Sequence, residues 1–302
     1  SGQTLPTGGS VVSGSATVTQ GGGQMTVRQT TDRGIINWQT FNVGAGGRVD
    51  FQQPGSGAAT LNRVTGGTTS TIAGQITANG QIFLVNPNGI QITPTGTVRT
   101  GAFVASTLDI KNDDFLAGRT VFEGNGASGR VVNQGTIEVV PGGTVVLMGG
   151  RVVNEGSITA DGGRVGLASG ERVVVDMQGD GFLQVSVPTA DADRAEALIK
   201  HTGRIQANGG RVEMRAATTA DVARAAITIS GAIEARTVTQ TEAGVVFSSG
   251  TPSDAMLSGK VTIDGGAGGT VQVSGPIVTR GTGRGGDISI SGSAVTTTGT
   301  LD

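Results

Sequence analysis

The chain has 302 residues, a net charge of −2, 54 glycines, eight Phe, one Trp, and neither Tyr nor Cys. Scattered Lys and Arg give no electrostatic footprint for nucleic acid, no apolar run nears the ~20 residues of a membrane-spanning helix, and the absence of Cys excludes disulfides, thiolate metal sites and a cysteine nucleophile. So many glycines with so few aromatics point to thin, regular layers with tight corners, and a secretory leader is read as absent or already removed.

Repeats are hard to find in the first ~70 residues, and seven of the nine aromatics, Trp38 through Phe122, lie in the first 122. A solenoid end exposes unpaired strand edges and needs a cover, so residues 1–35 are assigned to an N-terminal cap. Trp38 and Phe41, three apart in the extended-looking INWQTF, are expected to plug the core of that cap. Asn37, Asn42, Asn62 and Asn79 are expected to satisfy turns or cap hydrogen bonds, with an internal Asn ladder as the alternative. Asn62-Arg63 reads two ways: contact with a partner, or local pairing of Arg63.

The segment QIFLVNPNGI (Gln81–Ile90) follows. A markedly apolar strand runs into Asn86-Pro87-Asn88-Gly89, then Ile90 begins a second apolar stretch. Pro pre-sets φ at the second position of a turn, and Asn and Gly tolerate the conformations after it. The turn reads as a rigid corner, as a surface that another molecule reads, or as both. Beyond it, Asp109, Asp113 and Asp114 surround Lys111-Asn112. A glycosidase needs two carboxyls at a defined separation; these sit in one segment, so a solvated loop is expected.

From residue 36 to 170 the chain is expected to form coils. GQITANGQIFL from Gly74, GTIEVVPGGTVVLM from Gly135, GSITADGGRVGL from Gly156 and GRIQANGGRVEM from Gly203 share G-x-[IV]-x-[AV], a Gly-containing turn, and x-[IV]-x-[LM]. Ile158 and Ala160 alternate with Ser157 and Thr159, and Val165 and Leu167 continue after the turn; period two means strands. Two short strands per copy, at a 21-residue step from Gly135 to Gly156, fit one coil of a parallel β-helix better than an antiparallel meander. Residues 171–200 interrupt the series. ERVVVDMQGDGFLQVSV reads as a hairpin around Gly179-Asp180-Gly181, and TADADRAEALIK as a short helix capped by Thr189. His201 is expected to be a surface turn residue. Residues 201–302 carry weaker copies from Gly231, Gly259 and Gly275 and break off inside another, which reads as a piece of a longer solenoid. GGAGGTVQV and GRGGDISI lack the tandem register of calcium-binding nonapeptides, so no metal, cofactor or catalytic residue is assigned.

The motifs INWQTFNVG, VDFQQP, LNRVTGG, ITANGQIFLVNPNGI and VASTLDI occur in that order between Ile36 and Ile110, and ADGGRVGLASGERVVVDMQGDGF follows. In these residues the chain resembles the N-terminal secretion domain of two-partner secretion exoproteins, the family of filamentous haemagglutinin and related adhesins, haemolysins and contact-dependent toxins. The NPNL motif that some members carry upstream is absent. The resemblance implies an all-β, right-handed parallel β-helix, one domain over 1–302, with an N-terminal cap and an extra-helical β-hairpin. It implies export as an unfolded chain through the periplasm and outer membrane of a Gram-negative bacterium, to the surface or medium. The implied partner is an outer-membrane β-barrel transporter whose periplasmic POTRA domains recognise this domain. A host-cell or bacterial surface receptor is expected for the region beyond it, in an adhesin. Asn86, Pro87, Asn88, Gly89, Ile90, Asn62 and Arg63 are the candidate partner-binding or fold-nucleating residues. The competing readings are a polysaccharide-degrading enzyme on the same fold and the stalk of a contact-dependent toxin or haemolysin.

Overall fold

The computed structural model describes residues 4–126, 128–179, 181–241, 244–246, 255–257, 259–281 and 285–302. Among them the strands stack into three parallel faces of ten, eight and ten strands. A coil runs through the faces in turn: Thr144–Gly149 on the first, Arg151–Asn154 on the second, Ser157–Thr159 on the third, then Arg164–Ser169 back on the first. Thr136 lies opposite Ser157 and Arg130 opposite Arg151, so the step read from sequence is the step of the coil. The fold is a right-handed parallel β-helix, the hand that parallel crossovers take. Each coil holds three strands, not two. The second-face strands from Ser70–Ile72 to Ile199–His201 are only three or four residues long, too short for alternation to announce them.

Inward side chains stack in ladders. Leu84, Ala105, Leu147, Leu167, Met214 and Ile263 follow one another along the first face, all buried. Where the second face turns into the third, a leading glycine recurs at Gly135, Gly156, Gly203, Gly231 and Gly275, whereas Gly259, read from sequence as another copy's start, precedes the first-face strand Lys260–Asp264. A Cβ on any of the recurring five would collide with the carbonyl oxygen of the glycine one coil earlier. Close backbone approach at this corner is therefore what the repeat's first letter encodes.

At the N-terminal end Ala16–Gly21 pairs antiparallel with Gln24–Gln29, and Ser10–Ser13 antiparallel with Arg33–Trp38, on the edges of the third and first faces. Gln24–Gln29 then pairs parallel with Arg48–Gln52. Beneath this end Gln29, Thr60 and Gln53, all buried, form a hydrogen-bonded chain: Thr60 Oγ1 donates to Gln29 Oε1 (2.6 Å), and Gln53 Nε2 donates to Thr60 Oγ1 (3.0 Å).

Two insertions leave the corner after the first face. One carries Asp109–Ile110, the helix Asn112–Leu116 and Val121–Glu123; the other carries Arg172–Val175 and Leu183–Ser186. Together they make a four-stranded antiparallel sheet. The hairpin expected in 171–200 is its second half; Asp180 at its expected centre lies outside the described residues. The expected helix at Thr189 is absent. Residues 188–198 form an irregular strap whose backbone carbonyls serve two arginines: Arg224 bonds Asp191 O (3.2 Å), Asp193 O (3.0 Å) and Glu196 O (3.3 Å), and Arg151 bonds Ala197 O. Carbonyls used this way are not free for an i→i+4 ladder. The described helix instead falls at Asn112–Leu116, where a loop was expected, because Phe115 buries edge-on against Phe83 at 5.3 Å. A three-stranded antiparallel sheet of Val238–Thr241, Gly244–Val246 and Ala255–Leu257 interrupts the later coils.

Candidate functional site

The corner Asn86–Gly89 joins the first-face strand Gln81–Val85 to the second-face strand Ile90–Ile92. Pro87 fixes its own φ and offers no N–H. Gly89 sits at φ 122°, a value that favours glycine. Its N–H donates to Asn86 O at 3.1 Å and closes the turn.

Asn86 is fully buried, and its amide uses its whole hydrogen-bonding capacity of two donors and two acceptor lone pairs. Nδ2 donates to Thr68 O (3.0 Å) and Ser70 Oγ (2.9 Å); Oδ1 accepts from Asn88 N (3.0 Å) and Asn88 Nδ2 (3.0 Å). The Asn86 N–H reaches Ser106 O at 3.0 Å in the following coil. One residue thus ties three coils at their corner. No carboxylate or thiol supplies that donor and acceptor set. Asn88 Nδ2 also donates to Gly66 O at 2.9 Å.

The corner has two halves. Asn86, Gly89 and Ile90 are buried, and Ile90 starts the inward ladder Ile90, Val131, Val152, Ile199. Pro87 and Asn88 are exposed. Pro87 lines a shallow cavity of about 210 Å³ with Thr107, Asp109, Glu123, Asn125 and Ser128. The patch around the turn therefore combines the corner with the first insertion.

Asn62 and Arg63, neighbours in sequence, face opposite ways on one strand. Asn62 points into the core, accepting from Trp38 Nε1 (3.0 Å) and donating to Phe83 O (3.2 Å). Arg63 points out and holds the first insertion through Asp109 Oδ1 (2.9 Å), Asn112 Oδ1 (2.6 Å) and Ile110 O. Trp38 and Phe41 pack edge-to-face at 5.6 Å and are each 1% exposed. Asn42 and Asn79 bind backbone groups of neighbouring coils, Thr71 N and Gln53 N–H and C=O, while Asn37 Oδ1 is buried with no hydrogen-bond partner among the described residues.

The acidic cluster is neither a loop nor a carboxylate pair. Asp109 is engaged by Arg63, and Asp114 by Arg119 at 2.9 Å. Among the described residues no three His, Cys, Asp or Glu side chains are grouped to hold a metal ion.

His201 is not at the surface; it is fully buried. It continues an amide ladder in which Asn133 Nδ2 donates to Asn154 Oδ1 (2.9 Å) and Asn154 contacts His201 Nδ1 (3.1 Å). His201 Nε2 lies 2.9 Å from Ala232 O, which can only accept. The proton therefore sits on Nε2, and Nδ1 accepts from Asn154. Burial holds this imidazole below its ordinary pKa, against the opposing effect of its hydrogen bonds.

Sequence reasoning missed Glu171. Its buried carboxylate accepts from Gly126 N (3.1 Å), Ser128 N (3.2 Å) and Ser128 Oγ (2.7 Å), tying the second insertion to the first. It also missed Arg151, 1% exposed and paired with Asp191. Both partnerships span 40 residues or more, and no local pattern signals them.

A capped parallel β-helix with a buried-amide corner and an extra-helical sheet places the chain among the secretion-type β-helices. The chain belongs to the TPS secretion domain family, whose model matches residues 2–273. Two heme/hemopexin-binding proteins of Haemophilus influenzae are similar to it. One, from strain Rd, is 42% identical over 107 residues, covering 35% of this chain and 12% of its own; the other is 40% identical over 88 residues, covering 29% and 10%. The matches thus span about a tenth of those proteins. The crystal structure of the HMW1 secretion domain from Haemophilus influenzae superposes with a TM-score of 0.64 at 25% identity, covering 98% of this chain and all of that one. The filamentous hemagglutinin secretion domain superposes with a TM-score of 0.60 at 15% identity, covering 100% and 96%, and speaks for the fold alone. The chain is a secretion domain of a large exoprotein, and the family implies a dedicated transporter as partner.

Proposed function

We propose that this domain is read by the periplasmic POTRA domains of an outer-membrane β-barrel transporter, and that the Asn86–Ile90 corner with Arg63 is part of what is read. The observation that carries this reading is the division of the corner. Asn86 is locked by four side-chain bonds, while Pro87 and Asn88 stand exposed beside the first insertion. Rigid presentation lowers the ordering cost of recognition. Export crosses the periplasm and outer membrane of a Gram-negative cell and ends at the surface or in the medium, where the first coils nucleate the β-helix. We assign the domain no catalysis, a reading supported by the engagement of Asp109 and Asp114 by arginines.

The full-length protein is an adhesin whose receptor-binding portion lies outside this domain. The name of the curated relatives raises haem or hemopexin as a ligand. We place any such binding outside this domain as well. Tyr and Cys are absent from the chain, and its one His is walled into the core ladder, so three common haem ligands are missing or occupied.

The test is secretion of the fragment by cells with and without the cognate transporter, for wild type and Asn88→Ala. Transporter-dependent export that fails in a folded Asn88→Ala chain supports the reading. Export that needs no transporter overturns it.

A further inference from the structure

Between Arg33–Trp38 and Thr144–Gly149 the first face is buried on both sides, unlike its later strands Lys260–Asp264 and Asp287–Ser291. Its outward row Ile35, Leu61, Phe83, Val104 and Val146, in register across five successive coils, is as buried as the inward row. What covers it is a second hydrophobic core outside the helix, completed by Ile110, Phe115 and Phe122 of the first insertion and by Val173, Phe182 and Leu183 of the second. The two covers are parts of one sheet: Val121–Glu123 pairs with Arg172–Val174. Glu171 closes the joint from below through Gly126 and Ser128, and Val175 N donates to Thr120 O at 3.0 Å. The cover seats next to Gly166, where a Cβ would stand 2.6 Å from Leu183 Cδ1 and 3.1 Å from Phe182 Cζ.

Chain order makes this arrangement a constraint on folding. The strands it covers begin at Arg33 and the first insertion ends near residue 126, but the strands that complete it are Arg172–Val175 and Leu183–Ser186. We propose that the second insertion is a latch: the coils from Arg33 to Ser169 stay open, with an apolar face only partly covered by Ile110, Phe115 and Phe122 of the first insertion, until residues 171–186 dock and close them in one step. Simple coil-by-coil growth, the default for a solenoid, would have these coils closed before the latch arrives. In export the latch keeps the corner at Asn86 accessible in an unclosed chain until residue ~186 has followed it. This last consequence rests on the transporter reading above; the latch does not.

The experiment is pulsed hydrogen exchange during refolding of the full 302-residue chain from denaturant. The amides of Ile35, Leu61 and Phe83 are expected to gain protection in the same kinetic phase as Val173. Protection of those three in an earlier phase overturns the latch. A second measurement uses Gly166→Val, which suits the strand and leaves inward Val165 and Leu167 alone but unseats Leu183 and Phe182. At equilibrium it is expected to lower protection at Ile35 and Leu61 at least tenfold. Gly166→Val with Leu183→Ala, which makes room again, is expected to restore part of it. Unchanged protection at Ile35 and Leu61 in the Gly166→Val chain overturns the proposal, and a Gly166→Val chain that is rescued to folding only by Leu183→Ala supports it. Both readouts need no transporter, so their failure is distinct from failure of the export reading.

Discussion

At the scale of single residues, the amides carry the fold's specificity. Asn86→Ala leaves the buried Ser70 Oγ and the part-buried Thr68 O and Asn88 N–H without their partner. Such orphaned groups cost about 1–3 kcal/mol each, so this substitution is expected to destabilise by about 2–4 kcal/mol in urea unfolding. Asn88→Ala, at an exposed position, is expected to cost about 1 kcal/mol, which keeps it usable as a folded probe of recognition. His201 makes stability depend on pH. Its folded pKa lies below the ordinary 6.5, so the unfolded chain takes up a proton where the folded chain does not. The neutral ring's contribution is complete above ~6.5 and is lost as pH falls from there through the lower folded value. The urea midpoint is therefore expected to drop more between pH 7.5 and 5 in wild type than in His201→Asn. Sequence did show that Asn86-Pro87-Asn88-Gly89 makes a turn, since those residues have intrinsic turn chemistry. It did not show that Asn86 binds three coils or that His201 is buried. Those facts depend on which residue stands one coil away.

At the scale of elements, alternation revealed the third-face strands and, at Val165 and Leu167, the first face, and missed the second. QIFLV and TVVLMG are continuously apolar because both of their sides are covered, the pattern of a doubly buried strand. Only the assembled insertions explain it. The strap at residues 188–198 was misread as a helix because its charged, Ala-rich sequence has helical propensity. Tertiary demand for its carbonyls by Arg151 and Arg224 overrides that preference. Removing the Arg151 guanidinium as Arg151→Met leaves the Ala197 carbonyl and Asp191 without it. A fully buried pair broken this way costs about 3–5 kcal/mol, but Asp191 is a quarter exposed, so about 2 kcal/mol is expected. Limited proteolysis of the Arg151→Met chain is expected to begin within 188–198; first cleavage elsewhere counts against the clamp.

At the scale of the whole molecule, ladders replace a globular core. Leu147 sits between Ala105 and Leu167 in adjacent coils, whose spacing is set by backbone pairing and cannot collapse into a void. Leu147→Ala is thus expected at the costly part of the ~2–5 kcal/mol range for such truncations, read from urea unfolding. The coil period was legible because one glycine column must repeat in every coil, while the route of the chain through two insertions was not. The central claim is that a transporter reads this solenoid at the corner beside its first insertion. The most direct measurement is site-specific photo-crosslinking during export in cells, with the probe at exposed Thr69, beside Gly89, or at exposed Gln272, far along the same face. The account predicts an adduct with the transporter's periplasmic domain from position 69 and none from position 272. Equal adducts from both positions, or none from position 69, would contradict it.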